Sequence, residues 1–328
     1  MVNLLNCERI FLMAHILLYT PVMKMQHTVQ NIIKFSGIGL HTGQPVNVRI
    51  MPSDADTGIR FVRTDLPGSS FIKAVSENVI STSYATTIGV NGASVSTIEH
   101  LMAAFYGMGV DNALVEIDGP EVPIMDGSAV DFIAMIESSG LTPLPALRQY
   151  LVIKKPIRVS EDDKYIYLLP ADDMEFTIDY SIDFAHTFLN KQSFARLFSK
   201  DVFRKELGSA RTFGFLKDVE ALRANGLARG GSLDNAIVIS DNSILNEGGL
   251  RYPDEFVRHK VLDMMGDIAL VGAPVIGQLV AYRSGHSLNH KLAQKVLRLS
   301  NRWELTDSLE DKEPLSIMPA FLDKLATA

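Results

Sequence analysis

Apolar and polar positions alternate in short runs over much of this chain and fall into helical spacing in a few places. Val46-Asn-Val-Arg-Ile50 alternates strictly, the period of a strand with one buried face. A turn-rich stretch, Pro52-Ser-Asp-Ala-Asp-Thr-Gly58, separates it from a second strand, Ile59-Arg-Phe-Val62. From Ser96 to Tyr106 the period changes, and Ile98, Leu101, Met102 and Phe105 form one helical stripe. Ala113–Ile117 returns to a strand. A helix is predicted from about Ala129 to Glu137, with Ser128 and Asp131 placed to cap its start. Leu141-Thr-Pro-Leu-Pro-Ala146 carries two prolines and no period, which predicts a linker over residues 143–149.

The second half repeats these kinds of element. Tyr150–Val159, Tyr165–Leu169, Glu175–Ile182, Ala236–Ile239 and Val275–Tyr282 read as strands, and Glu255–Ile268 and Leu288–Ser300 as helices. The order strand-rich, helix, strand, helix thus stands on both sides of the linker. Because the alternation is not strictly βαβ, the pattern predicts an α+β protein of two similar domains, residues 25–142 and 150–328. Each would be a helix layer packed on a mainly antiparallel sheet. The halves share too little sequence to prove a duplication.

Composition narrows the chemistry. The 328 residues are 21% charged and 47% hydrophobic, with a formal net charge of -7, the balance of a globular protein without a broad nucleic-acid footprint. Basic residues are expected to act locally, on an anionic small molecule. Cys7 is the one cysteine, so an internal disulfide and a cysteine-built zinc site are both excluded, and a reducing, cytoplasmic setting is expected. Ile10 to Tyr19 is an apolar run interrupted by His15, too short to span a bilayer. It resembles a signal-peptide core, but Glu8 offsets Arg9 and no A-x-A site follows. Residues 1–24 are therefore read as a dispensable leader, with Met25 the functional start, and no stable membrane insertion is expected.

Three short segments carry candidate chemistry. In Arg258-His-Lys-Val-Leu-Asp263, His259 and Asp263 are four residues apart, and Asp267 lies one further turn along. On a helix these share a face, where an imidazole and a carboxylate can grip one metal ion, although a solvated ion pair has the same spacing. In Ser96-Thr-Ile-Glu-His-Leu101, His100 offers a third ligand and Glu99 a base for a metal-activated water. The same segment also reads as a capping box of Ser96 and Glu99. In Tyr282-Arg-Ser-Gly-His-Ser287, His286 sits in a loop between strand and helix, suited to proton donation, while His286 and His290 offer a rival metal pair.

Together with Phe35-Ser-Gly-Ile-Gly-Leu-His-Thr-Gly43, Asp118-Gly-Pro-Glu-Val-Pro-Ile-Met-Asp-Gly-Ser128, Ala210-Arg-Thr-Phe-Gly-Phe215 and Leu245-Asn-Glu-Gly-Gly-Leu250, these segments resemble the UDP-3-O-acyl-N-acetylglucosamine deacetylases. The likeness runs in order from about Gln26 to the C-terminus. It implies a zinc-dependent amidohydrolase that removes acetate from UDP-3-O-(3-hydroxyacyl)-N-acetylglucosamine in lipid A synthesis, with the active site between two α+β domains. It further implies that His100, His259 and Asp263 bind Zn2+, with Glu99 as general base and His286 as general acid. By the same likeness Asp267 orients His286, Thr212 helps hold the oxyanion, Lys260 lies near the sugar or its diphosphate, and Phe213 and Phe215 flank the acyl passage. It argues against His290 as a ligand. The implied partner is the small-molecule substrate, with no nucleic acid and no protein partner. A binding protein that keeps the pocket without turnover, or a zinc hydrolase of another acylated amino sugar, would share the ligand set. The presence of both Glu99 and His286 favours an enzyme over the former.

Overall fold

The computed structural model describes residues 22–184, 186 and 189–309. The apolar run Ile10–Tyr19 and Cys7 lie outside the described residues. Within the segment expected to be leader, a short strand β1 (Val22–Met23) pairs with Ser308 and Leu309, so described structure begins just before Met25.

The alternating segments form strands and the helically spaced ones form helices. The first half contains β2 (Met25–Val29), β3 (Ile33–Ile38), β4 (Pro45–Met51), β5 (Ile59–Arg63) and β6 (Ile72–Lys73). A small antiparallel sheet follows, β7 (Val79–Ser81), β8 (Thr87–Val90) and β9 (Ala93–Val95), then α1 (Glu99–Met108), β10 (Ala113–Ile117) and α2 (Val130–Ser139). The main sheet has the order β3-β4-β10-β5-β6. β4 shows the read alternation, burying Val46, Val48 and Ile50.

The second half contains β11 (Leu141–Leu147), β12 (Tyr150–Ile153), β13 (Ile157–Glu161), β14 (Lys164–Leu169), β15 (Phe176–Ile182) and β16 (Gln192–Leu197). After a short helical turn come β17 (Phe213–Phe215), α3 (Leu216–Ala224), β18 (Ile237–Ile239), α4 (Glu255–Ile268), β19 (Val275–Tyr282) and α5 (His286–Arg298), with β20 (Trp303–Thr306) and β21 (Ser308–Leu309) closing the described chain.

The two halves share one topology. In the first, β3 pairs antiparallel with β4, β4 antiparallel with β10, and β10 parallel with β5. In the second, β13, β14, β19 and β15 repeat the same three pairings in the same order. A helix makes each parallel crossover, α1 before β10 and α4 before β19, and a further helix follows each. The sheets are mostly antiparallel and the class is α+β, as the pattern predicts. Nearly every residue of α1 and α4 is buried, because these two helices pack against each other at the centre of the molecule. Their contact is close at Gly266, where an added Cβ would stand 2.0 Å from the carbonyl oxygen of Glu99.

Three local expectations are corrected. Leu141–Ala146 is not an aperiodic linker: β11 pairs antiparallel with β2, with Pro143 opposite His27 and an irregular stretch before Leu147. A two-stranded ribbon has free edges where proline's missing N–H costs nothing, so prolines hide a strand from the sequence pattern. Tyr150–Val159 is two strands, broken at Lys154-Lys155-Pro156, as proline's fixed φ and lost donor require. The last helix begins at His286 rather than Leu288, so His286 belongs to its first turn and not to the preceding loop.

Candidate metal and proton-transfer site

Glu99 and His100 open α1, and His259, Asp263 and Asp267 follow one another down a buried face of α4. The capping box does not form. The backbone N–H of Thr86 donates to Glu99 Oε2 at 3.0 Å, and Ser96 Oγ bonds Thr87 Oγ1 instead. The Glu99 carboxylate is thereby turned away from its own helix.

His100 Nε2 and His259 Nε2 lie 3.5 and 3.3 Å from Asp263 Oδ1, and the ligand atoms of the three residues fall within 4.8 Å of one another. All three side chains are buried. His259 Nδ1 is 3.0 Å from the carbonyl oxygen of Ala210. A carbonyl only accepts, so Nδ1 carries the proton and the lone pair of Nε2 faces Asp263. Burial holds the His259 imidazole down to about 3, against the pull of Asp263, which keeps it the neutral form that a metal requires. Burial also opposes ionisation of Asp263, but the ammonium of Lys260, 2.5 Å from Oδ2, offsets it, and the carboxyl is held well below the carboxylate range. Asp263 Oδ1 is buried without a hydrogen-bond partner. An ionised oxygen in that position, faced by imidazole nitrogens, is completed by a cation, and two histidines with one carboxylate are a donor set suited to zinc.

The proton-carrying groups lie beside this cluster. His286 Nε2 is 3.9 Å from Glu99 Oε1 and 3.9 Å from Asp263 Oδ2, and its Nδ1 is 2.8 Å from Asp267 Oδ2. Burial alone would lower the His286 pKa, but Asp267 above all, then Asp263 and Glu99, raise it to about 9. Burial lifts the Glu99 carboxyl above its ordinary value, opposed in part by His286 and His100. Asp267 is itself held: Oδ1 accepts the Thr86 hydroxyl at 2.6 Å, and Oδ2 accepts Asn289 Nδ2 at 2.8 Å. Asn289 in turn accepts from Ser284 Oγ at 2.5 Å, and the Ser284 carbonyl accepts from Tyr180.

Glu99, His100, His259, Lys260, Asp263 and His286 line one cavity of about 250 Å³ together with Thr212 and Phe213. A buried ion pair fixes that last segment. Glu255, one turn before His259, accepts from the backbone N–H and Nε of Arg211 at 3.0 and 2.9 Å. This clamps Ala210 behind His259 and Thr212 at the cavity. Lys260 is paired with Asp263 and lies over Phe213, 5.7 Å from the ring centre. Phe215 is absent from the cavity lining. It packs against Phe184, which also touches Phe213 and reaches the cavity. His290 stands apart, 3.4 Å from Ser76 Oγ.

Sequence reasoning missed His41, Tyr84 and Thr97, which line the cavity, and Thr86, Ser284 and Asn289 behind it. One conformational signal marks the region: Tyr84, Thr97 and Arg283 all take positive φ, at 64°, 55° and 53°. Non-glycine residues held there cluster at functional sites, but nothing in their local sequence announces it.

Comparison with known proteins follows this geometry. The family model for UDP-3-O-acyl N-acetylglycosamine deacetylase matches residues 26–298. A UDP-3-O-acyl-N-acetylglucosamine deacetylase of Myxococcus xanthus is 51% identical over 285 residues, covering 87% of this chain and 90% of that protein. Proteins of the same name from Syntrophus aciditrophicus and Geotalea uraniireducens are each 46% identical, the latter over 93% of this chain and 98% of its own length.

Proposed function

This chain belongs to the family of UDP-3-O-acyl-N-acetylglucosamine deacetylases, and on that premise we propose that the cavity between α1 and α4 is its active site. The reaction removes the N-acetyl group of UDP-3-O-acyl-N-acetylglucosamine and releases acetate, the committed step of lipid A biosynthesis. The observation that carries the site assignment is the unpartnered, buried Asp263 Oδ1, faced by two imidazoles, with Glu99 and His286 beside it.

His100, His259 and Asp263 would hold zinc. When bound, zinc supplies Lewis acidity, lowering the pKa of water and polarising a carbonyl oxygen. The protein's own groups do the rest. Glu99 Oε1, on the cavity side of a carboxylate anchored by Thr86, takes the proton of the attacking water. The Thr212 hydroxyl donates to the acetyl oxygen as charge develops there. His286 Nε2, protonated at neutral pH, delivers its proton to the departing amine, and Asp267 keeps Nδ1 protonated and the ring oriented. Lys260 would sit near the sugar or its diphosphate, and the Phe213–Phe184–Phe215 cluster suits an acyl chain. The substrate is the one partner this reading requires. Among the described residues no helix is long and apolar enough to cross a membrane. Our reading puts the enzyme in the cytoplasm and keeps the domain boundary within residues 143–149, where β11 still pairs with β2 of the first domain before the chain passes to the second.

The test is metal analysis of the purified protein alongside acetate release from the acylated UDP-sugar. One zinc per chain with turnover is expected. Turnover that survives complete metal removal and chelation would overturn the site.

A further inference from the structure

Thr86 lies just before β8, 181 residues before Asp267 in the sequence, yet it touches both proton-carrying groups. Its backbone N–H donates to Glu99 Oε2 at 3.0 Å, and its carbonyl accepts from the N–H of Ile98, at the start of α1. Its hydroxyl donates to Asp267 Oδ1 at 2.6 Å and stands 3.4 Å from His286 Nδ1. The residue is 1% exposed, so water does not compete for these bonds.

We propose that Thr86 is a positioning residue that orients both proton carriers at once, Glu99 through its backbone and His286 through Asp267. This rests on the reading of Glu99 and His286 as base and acid. The argument is one of satisfaction. Asp267 Oδ2 already accepts from His286 and Asn289, so both of those donors sit on one oxygen. Among the described residues, Thr86 supplies the hydrogen bond that Oδ1 receives. Without it the carboxylate has a buried, bare oxygen and is free to turn about its Cβ–Cγ bond. His286 would then lose the fixed acceptor that holds its ring toward Glu99. A buried charged acceptor deprived of its donor is costly, and outer hydrogen-bond partners that orient the working groups of a metal site typically matter about 10–100-fold.

Thr86→Val isolates the effect, because it keeps the backbone bonds and the β-branched shape and deletes the hydroxyl alone. In the zinc-loaded, full-length enzyme, kcat for acetate release should fall about 10–100-fold with KM within about twofold of the parent. Zinc content should be unchanged within error, while the melting temperature should fall by the few degrees that one bared carboxylate oxygen costs. Thr86→Ser should restore most of kcat, and Thr87→Val, whose hydroxyl meets Ser96 outside this network, should leave it unaltered. In the metal-free protein, the Nδ1–H of His286 should exchange faster with water in Thr86→Val than in the parent by ¹⁵N imidazole NMR. Adding Thr86→Val to His286→Ala should cost nothing more, because the hydroxyl acts through that ring. A Thr86→Val kcat within twofold of the parent, an equal loss in Thr86→Ser, or fully multiplicative losses in the double variant would each overturn the proposal. If valine prevents folding, Thr86→Ala deletes the same hydroxyl with less bulk and is read by the same criteria. His286→Ala separates the two levels. A near-parental rate there removes the proton-donor reading itself, whereas a low rate there beside an unaffected Thr86→Val removes Thr86 alone.

Discussion

At the scale of single residues, the site sorts its ionisable groups by surroundings rather than by type. His259 and His286 have the same side chain and are both buried, yet one is held neutral by burial, with a carbonyl fixing its tautomer, and the other is charged by Asp267. That split assigns a ligand and an acid. It also fixes the pH dependence. His286, raised to about 9, keeps its proton through neutral pH and loses it as pH rises past that value, so the rate should fall on the alkaline side. Glu99, lifted by burial, must be ionised to act, so the acid limb should lie above the ordinary glutamate range and the profile should be bell-shaped. Glu99→Ala and His286→Ala should each lower kcat by about 10²–10⁴-fold with zinc retained. Asp267→Asn should move the alkaline limb to lower pH, since it removes the charge that favours the imidazolium. Kinetic pH profiles with zinc content measured in parallel decide this. An unshifted alkaline limb in Asp267→Asn would contradict it. The His286–Asp267 pair also contributes folding stability that is complete below the ordinary histidine pKa and fades as pH rises through about 9.

At the scale of elements, the decisive feature is how closely α1 and α4 approach. Glu99 and His100 on one helix can meet Asp263 and Asp267 on the other only because Gly266 offers no side chain at the crossing. Its added Cβ would stand 2.0 Å from Glu99 O and 2.7 Å from Glu99 C, both backbone atoms that no rotamer change can move. Gly266→Ala should therefore separate the helices, costing about 1–3 kcal/mol of stability as overpacking does, and should weaken zinc binding as His100 withdraws from Asp263. Melting curves and zinc titration read both effects, and a variant with parental zinc affinity would show the crossing to be more plastic than this. The same crossing shows what sequence can and cannot reveal. His259 and Asp263 were legible because a helix makes a spacing of four residues into a shared face. Glu255–Ile268 was read to its ends for the same reason. The meeting of His100 with His259 comes from tertiary packing, and the family resemblance, not periodicity, supplied it. Thr86 and Asn289 escape because one acts from irregular chain just before β8 and the other from within α5, with no period or charge to mark either. The prolines of β11 hid a strand, because strand propensity is judged on donors that an edge does not need.

At the scale of the whole molecule, the repeated topology explains why the site lies where it does. Each half sends one crossover helix inward, α1 between β5 and β10 and α4 between β15 and β19, and the two helices pack against each other. A metal centre built from His100 on α1 and His259 and Asp263 on α4 is thus a bond between the halves. Binding to the folded state alone stabilises it by mass action, about 2.7 kcal/mol when free ligand stands at 100 times its dissociation constant and about 4.1 kcal/mol at 1,000 times. One large hydrophobic core, built from strands and helices of both halves, holds the fold together without the ion, so folding does not depend on the ion as it does in a zinc finger. The metal-free protein should therefore unfold cooperatively but at a lower temperature, and added zinc should raise the melting point in proportion to the logarithm of its free concentration. Asp263→Asn, which removes the charged ligand, should abolish that dependence. His259→Ala should also abolish it, whereas His290→Ala, beside Ser76 and away from the cluster, should retain it. Calorimetric melts of the four proteins across a series of buffered zinc concentrations make the comparison. If His259→Ala gained as much stability from zinc as the parent, the ion would be binding somewhere other than between α1 and α4.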